Sequence, residues 1–284
     1  MVQDVGLVLE GGGMRGTYTA GVLELFMDEG LEIPYVVGSS AGACNGSSYV
    51  AKQKKRNYEV LIEYGDHPEY ISYKRMFKNG QLFGMDFIFD TLPNRLVPFD
   101  YETFSEEKTK FVVCTTDMMT GLPVCYDRFP DKQSLLKVVR ASSSLPLIAP
   151  SIHYEGRQLM DGGIADPIPF QASIADGNRK HIVILTQTEG YMKRKMKLGW
   201  YFARKYRKYP HFVKALLNRH LRYNLQLKKI KEMEERGEAF IIRPKTPLQV
   251  GRVERNRDRL HQLYMQGYDE SKLLIEDLDR FLQS

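Results

Sequence analysis

Two apolar runs near the start of the chain are each followed by small residues and then by apolar positions at helical spacing. Val5–Glu10 reads as a buried strand, and Tyr18, Val22, Leu25 and Phe26 then share one face of a helix expected over Thr17–Glu29, with Gly30 as its stop. Ile33–Val37 predicts a second strand, Gly38-Ser39-Ser40-Ala41-Gly42 a turn, and a small-residue helix continues to about Lys52. A strand–turn–helix unit repeated in this way predicts parallel strands joined by helical crossovers. Residues 53–100, rich in Tyr, Phe, Asp and Gly with weak periodicity, predict irregular helical turns or a covering region. Regular patterning returns with strands at Phe111–Thr115 and Val124–Tyr126 and a helix over Asp131–Ala141. Glu155-Gly156 is the expected turn of a hairpin between Ile152–Tyr154 and Gln158–Met160. Pro169 opens a helix stopped by Gly177, and His181–Gln187 reads as another buried strand. Beyond these lie a long helix from Pro210, a strand candidate at Ala239–Arg243 and an amphipathic helix over Val253–Leu282.

The first turn, Gly11-Gly12-Gly13-Met14-Arg15-Gly16, satisfies G-x-G-x-x-G directly after a strand, the pattern of a dinucleotide site. That site also needs an acidic residue at the end of the second strand to hold the ribose. Val37-Gly38-Ser39-Ser40 stands there, and Glu32 precedes the strand instead of ending it. No Gly-Lys-Ser/Thr follows the glycines, so a Walker A phosphate loop is excluded as well.

What occupies the position is G-x-S-x-G between a strand and a helix. This is the context of a nucleophile elbow, where a sharp turn lifts Ser40 Oγ above the sheet and Gly38, Ala41 and Gly42 avoid clashes around it. The glycine loop then has another use. Backbone N–H groups of Gly11, Gly12 and Gly13 can face a developing oxyanion, each such donor contributing about 3 kcal/mol to the barrier reduction. Arg15 suits positive charge near the oxyanion or a phosphate head group, and equally suits pairing with a carboxylate to hold the loop.

A serine nucleophile needs a base. His153 and His181 fall in predicted strands, His67 in an ill-defined loop, and His211, His220 and His261 in the basic or C-terminal segments. Asp161 fits better, because it ends an apolar strand and is followed by Gly162 and Gly163, which let the backbone turn and a substrate approach. A desolvated carboxylate within reach of the serine can take its proton. Asp166 is the rival, with Pro167 beside it suggesting a turn or helix start.

With Gly11–Gly16, Gly38–Gly42 and Asp161-Gly162-Gly163 in this order, the chain resembles the patatin-like phospholipase family. Thr116-Asp117 through Thr120-Gly121 and Arg140-Ala141-Ser142 through Pro146 and Pro150 add support, so the resemblance covers about residues 5–187. It implies a three-layer α/β/α sandwich with a mostly parallel central sheet. It also implies a Ser40–Asp161 dyad without histidine, an oxyanion hole from the Gly11–Gly16 loop, and hydrolysis of lipid acyl esters through an acyl-enzyme, as in lipid catabolism. No metal or organic cofactor is implied.

Charge divides the chain. The net charge is +6, yet Gly190–Lys231 holds fourteen Lys or Arg and no acid, which leaves −8 for everything else. We therefore expect a hydrolase domain over 1–189 and a basic, mainly helical extension over 190–284. In residues 191–236, Trp200, Tyr201, Phe202, Tyr206 and Tyr209 interleave with Arg204, Lys205, Arg207 and Lys208. Such a stretch suits peripheral contact with an anionic membrane, or a helical appendage with a solvated basic face. It also leaves open a catalytically silent protein that binds lipid or polyanion, whereas nucleic acid is not expected beside a complete hydrolase constellation.

At 43% hydrophobic and 27% charged residues the chain has the composition of a folded globular protein. No apolar run is long enough to span a membrane and no export signal opens the chain. Cys44, Cys114 and Cys125 are odd in number and widely spaced, and form neither C-x-x-C nor a metal-ligand cluster. A cytoplasmic protein, peripheral at the inner face of the membrane, is expected.

Overall fold

In the computed structural model, which describes residues 4–284, one sheet organises the chain. Its strands are β1 (Val5–Leu9), β2 (Tyr35–Ser39), β3 (Lys110–Asp117), β4 (Pro123–Tyr126), β5 (Ile152–Tyr154), β6 (Arg157–Asp161), β7 (Lys180–Ile184) and β8 (Ala239–Ile242). The helices are α1 (Gly16–Asp28), α2 (Ala41–Val50), α3 (Arg56–Tyr58), α4 (Tyr73–Asn79), α5 (Tyr101–Glu106), α6 (Lys132–Ser142), α7 (Phe170–Ala175), α8 (Gly199–Lys205), α9 (Pro210–Glu235), α10 (Arg257–Lys272) and α11 (Ile275–Gln283).

The strand order is β5-β6-β3-β2-β1-β7-β8, with β4 also on β3. The run β3-β2-β1-β7-β8 is parallel throughout, and β4, β5 and β6 are antiparallel. Successive side chains go to opposite faces. Leu7, Leu9, Val36, Phe111, Val113, Ile182 and Ile184 pack beneath α1, α2, α6 and α10. Val8, Val37, Val112, Val183 and Leu185 pack against α7 and α9 through Phe170, Tyr223, Ile230 and Met233. Both faces being covered explains why these strands read as continuous apolar runs rather than alternating ones. This is the expected three-layer α/β/α sandwich.

The composition shift at residue 190 is not a packing boundary. β8 extends the parallel sheet beside β7, α9 covers the second face, and α10 lies along α1. The α1–α10 contact is a close approach of backbones: a Cβ on Gly267 would fall 2.1 Å from the Tyr18 carbonyl oxygen, and one on Gly21 would fall 2.0 Å from that of Tyr264. Helix propensity favours alanine over glycine by about 1 kcal/mol, so a clash must outweigh it to be seen. Gly267→Ala is expected to destabilise the chain by about 1–3 kcal/mol in denaturant unfolding; unchanged or raised stability would mean that the two helices are not this close.

Three expectations are corrected. The C-terminal amphipathic segment is two helices, broken at Leu273-Leu274. The aromatic–basic stretch is split in use: Phe202, Tyr206 and Tyr209 pack on Phe212 and Leu216, while Trp200 is 69% exposed. The odd number and wide spacing of the cysteines suggest a reducing compartment, and the structure corrects this. The β3–β4 register sets Cys114 directly opposite Cys125, and the two form a disulfide, leaving Cys44 as the free thiol. Cysteine usage therefore gives no reason to place the chain in a reducing compartment. No described helix is long and apolar enough to cross a membrane.

Candidate active site

The loops after β1, β2 and β6 meet at the carboxyl ends of the parallel strands, where open α/β sheets hold their ligands. Ser40 sits between β2 and α2 with φ 55° and ψ −124°, a left-handed conformation that costs a non-glycine residue about 1–3 kcal/mol. The surroundings impose it. Ser40 N–H donates to Ser142 Oγ at 2.8 Å, Ser142 in turn donates to the Cys114 carbonyl at 2.6 Å, and Ser39 Oγ donates to the Asp166 carbonyl at 2.9 Å. A Cβ on Gly42 would lie 2.3 Å from the Leu9 carbonyl oxygen, so only glycine lets α2 start this close to β1.

Asp161 ends β6 and is buried. Its Oδ1 accepts the Gly163 N–H at 2.9 Å, and Thr116 Oγ1 donates to its carbonyl at 2.8 Å. Burial pushes its pKa above the ordinary carboxylate value, and the Arg219 guanidinium, the Ser40 hydroxyl and Arg252 pull it back. The Ser40 hydroxyl acts on the pKa of this carboxyl, but Oδ2 accepts no hydrogen bond of ordinary geometry among the described residues. The rival, Asp166, is occupied differently. Gln226 of α9 donates to its Oδ1 at 2.5 Å, and burial lifts its pKa to about 6.

In the glycine loop the amides divide by use. Gly11 N–H is directed at the Pro167 carbonyl at 3.5 Å, Met14 N–H donates to the Arg252 carbonyl at 3.1 Å, and Gly16 N–H closes the short turn onto Gly13 and Met14. Those of Gly12 and Gly13 have no acceptor among the described residues. Gly11 and Gly16 therefore shape the loop: a Cβ on Gly11 would lie 2.9 Å from the Ser39 carbonyl oxygen, and one on Gly16 would lie 2.7 Å from Ala41 Cβ. Arg15 forms no ion pair among the described residues. Its Nε is sealed from solvent with no acceptor among the described residues, and Glu10, the carboxylate whose charge acts on it, spends its oxygens on Thr186 N–H and Tyr223 Oη at 2.6 and 2.9 Å.

Behind Ser40 a cavity with ≈ 720 Å³ of empty space, its mouth included, runs from Gly13 and Met14 to Leu61, Met85, Ile88 and Phe89. Its far wall is made by π-helical turns over Glu59–Glu63 and Phe87–Leu96, so the irregular region 53–100 is the lining of this cavity. None of the six histidines lines it; His181, for one, is buried on β7 against Ser173 Oγ at 3.0 Å.

Sequence reasoning missed the contribution of α9. Arg219 donates from Nε to the Gly163 carbonyl, Arg222 donates to the Ala165 carbonyl, and Gln226 holds Asp166 and Ile168. These positions share one helical stripe with Tyr223, Ile230 and Met233, a periodicity hidden by the high basic content of the segment. Ser142 and Thr116 lay inside the supporting stretches but carried no signal of their own.

A family model described as patatin-like phospholipase matches residues 7–174, and another, described as a domain of unknown function (DUF6363), matches residues 209–283. The chain is 31% identical over 187 residues to the uncharacterized protein YjjU of Escherichia coli K12, covering 64% of this chain and 52% of that protein. It is 30% identical over 176 residues to lysophospholipase nte1 of Aspergillus terreus, covering 58% of this chain and 10% of the fungal protein. It is 27% identical over 181 residues to the uncharacterized NTE family protein Rv1063c of Mycobacterium tuberculosis, covering 61% and 46%. The chain thus spans about half the length of the bacterial relatives and a tenth of the fungal one. Among solved structures it is similar to VipD from Legionella pneumophila, with a TM-score of 0.49 and 13% identity over 96% of this chain and 66% of that one. The 7–174 match spans more than half of the chain and contains the glycine loop, the serine elbow and the Asp-Gly-Gly turn; the chain belongs to the patatin-like phospholipase family.

Proposed function

We propose that this chain is a serine acyl hydrolase of phospholipase A or lysophospholipase type, acting on phospholipid or related acyl-ester lipids. The observation that carries the reading is the left-handed Ser40 at a strand–helix turn, facing the buried Asp161. Ser40 Oγ attacks the ester carbonyl while Asp161 accepts its proton. The amides of Gly12 and Gly13 receive the oxyanion, and the same carboxyl returns the proton to the leaving alcohol. Asp161 then takes a proton from the water that attacks the acyl carbonyl and passes it to Ser40 Oγ as the acyl–Oγ bond breaks, releasing the fatty acid and the free serine. The apolar cavity behind Ser40 suits the acyl chain. These steps use only side chains and amides of this chain.

The exposed Trp200, Tyr201, Leu221 and Leu225 lie among the basic residues of α8 and α9 and suit seating on an anionic membrane surface. The relatives' names and the family support lipid as the substrate class.

A fluorophosphonate probe tests the reading most directly. It is expected to label the wild-type chain once, on Ser40. A folded wild-type chain that takes no label, yet binds anionic vesicles, would favour a catalytically silent lipid- or polyanion-binding protein acting through residues 191–236.

A further inference from the structure

Four basic side chains converge beside the Ser40–Asp161 pair, where Asp161 and Glu10 are the carboxylates whose charge reaches them. Three of them, Lys193, Arg219 and Arg252, come from outside the stretch that matches the family model. Arg219 is anchored on the Gly163 carbonyl, and the backbone of Arg252 is anchored on the glycine loop through Met14 N–H at 3.1 Å. Lys193 is held by its backbone, which exchanges hydrogen bonds with the Asn224 side chain at 2.8 and 3.1 Å, and its ammonium lies 4.4 Å from the centre of the Tyr223 ring. Arg15, with its unpartnered Nε, is the fourth.

None of the four forms an ion pair among the described residues, whereas the exposed Lys52, Lys54 and Lys110 do. Of the two buried acids that act on them, Asp161 faces Arg219, and Glu10 already accepts two neutral donors. Mutual repulsion is felt at Lys193, where burial and the neighbouring guanidiniums of Arg219 and Arg252 push the pKa down to about 6, so that this amine is fully charged at neutral pH only when an anion joins it. Arg15, Lys193 and Arg219 are half-buried and Arg252 is exposed, and partly desolvated like charges gathered in this way are costly unless something negative joins them. Lys193, Arg219 and Arg252 line a separate, open hollow with ≈ 840 Å³ of empty space, its mouth included, which Tyr191 and His220 also border.

We infer that Lys193, Arg219 and Arg252, with Arg15 at its edge, form a subsite for a phosphate group next to the Ser40–Asp161 pair. The inference rests on the hydrolase reading for its use, in that the phosphate would belong to a substrate whose ester reaches Ser40. It does not rest on that reading for binding. The C-terminal region is then part of the active site, which it supplies with charge.

Three measurements on the full chain test this. The first compares kcat/KM for a short-chain monoacyl glycerophosphate with that for the monoacylglycerol of the same acyl chain, in wild type and in a Lys193→Gln/Arg252→Gln double variant. Both substitutions keep the backbone anchors. Charge-assisted bonds to phosphate are expected to make the preference for the phosphate-bearing ester about 10- to 100-fold, and the double variant is expected to lose at least about tenfold of that ratio. The second follows thermal unfolding with inorganic phosphate and with glycerol 3-phosphate, both of which are expected to raise the transition temperature of wild type and not of the variant. The third counts fluorophosphonate label on the variant, which shows that its site is still folded.

An equal loss on both esters would overturn the subsite, because the cations would then be serving Asp161 or the oxyanion alone. So would equal stabilisation of wild type and variant by phosphate. If phosphate stabilises only wild type while neither ester is turned over, the subsite stands and the hydrolase reading falls. If both esters are turned over equally and phosphate has no effect, the hydrolase reading stands and the subsite falls. Stabilisation by inorganic phosphate but not by glycerol 3-phosphate would also overturn the substrate role, since the hollow would then hold a free ion only.

Discussion

Ser40→Ala is expected to lower ester turnover by about 10³- to 10⁶-fold and to abolish fluorophosphonate labelling, with little change in stability. The size follows from the role proposed for Oγ: without it no acyl-enzyme forms, and what remains is the contribution of the glycine amides and of substrate positioning. Stability should be spared because Oγ makes no hydrogen bond of ordinary geometry among the described residues, and alanine loses only its interaction with Asp161. The elbow is held instead through Ser40 N–H on Ser142 and through Ser39 on Asp166. Alanine keeps a Cβ at φ 55°, so it inherits the backbone strain without relieving it. A folded Ser40→Ala chain that still turns over a lipid ester at more than about a hundredth of the wild-type rate would remove Ser40 from the mechanism. Labelling of the variant would point to a different serine.

The next largest effect is expected from Asp161→Asn, which should lower turnover by about 10²- to 10⁴-fold. The amide is nearly the same shape, and its oxygen can still accept the Gly163 N–H, yet it cannot take a proton from Ser40. Stability is expected to move the other way. Asp161 has its pKa raised by burial, so above that pKa the ionised carboxylate is worse off folded than unfolded, and it costs stability at neutral pH. Removing the charge removes that cost. A more slowly reacting but no less stable variant is therefore the expected pair of results, read by steady-state kinetics and thermal unfolding. A variant of near-normal activity would show that another group is the base.

The same raised pKa fixes a pH dependence. Asp161 accepts a proton only when ionised, so kcat/KM should fall as pH drops through a value above the ordinary carboxylate range. The groups that set that value are Ser40, Arg219, Arg252 and the Gly163 amide, all of which lower it against the effect of burial. Arg219→Gln should then shift the acidic limb to higher pH, and a limb that moves down or stays would show that Arg219 does not act on Asp161.

Much of the site was legible before any fold was known, because its motifs are local. A strand followed at once by small residues and a helix constrains only neighbours in sequence, so Gly11–Gly16 and Gly38–Gly42 announced their turns, and Asp161 its position at a strand end. The exclusion of a nucleotide also came from local order, since the ribose carboxylate must end a particular strand and Ser40 stands there. Which glycine amides are free was not local. Pro167 and Arg252, far away in sequence, take those of Gly11 and Met14.

What only the tertiary structure decided depends on pairing and burial between distant segments. The Cys114–Cys125 bond needs the β3–β4 register, and composition alone cannot show two strands facing each other. The basic residues of α9 look like a solvated face when counted along the chain. Packing turns Arg219, Arg222 and Gln226 inward onto the Asp-Gly-Gly turn, because the sheet's second face needs an apolar cover and α9 supplies it with Tyr223, Ile230 and Met233. The proton affinity of Asp161 is the last such property. Residue type and spacing made it a candidate, but desolvation by the whole sandwich and the charge of a helix some sixty residues away set its basicity. The sequence by itself determined which groups could react; the fold determined their electrostatic environment, because burial and long-range charge are properties of three-dimensional packing.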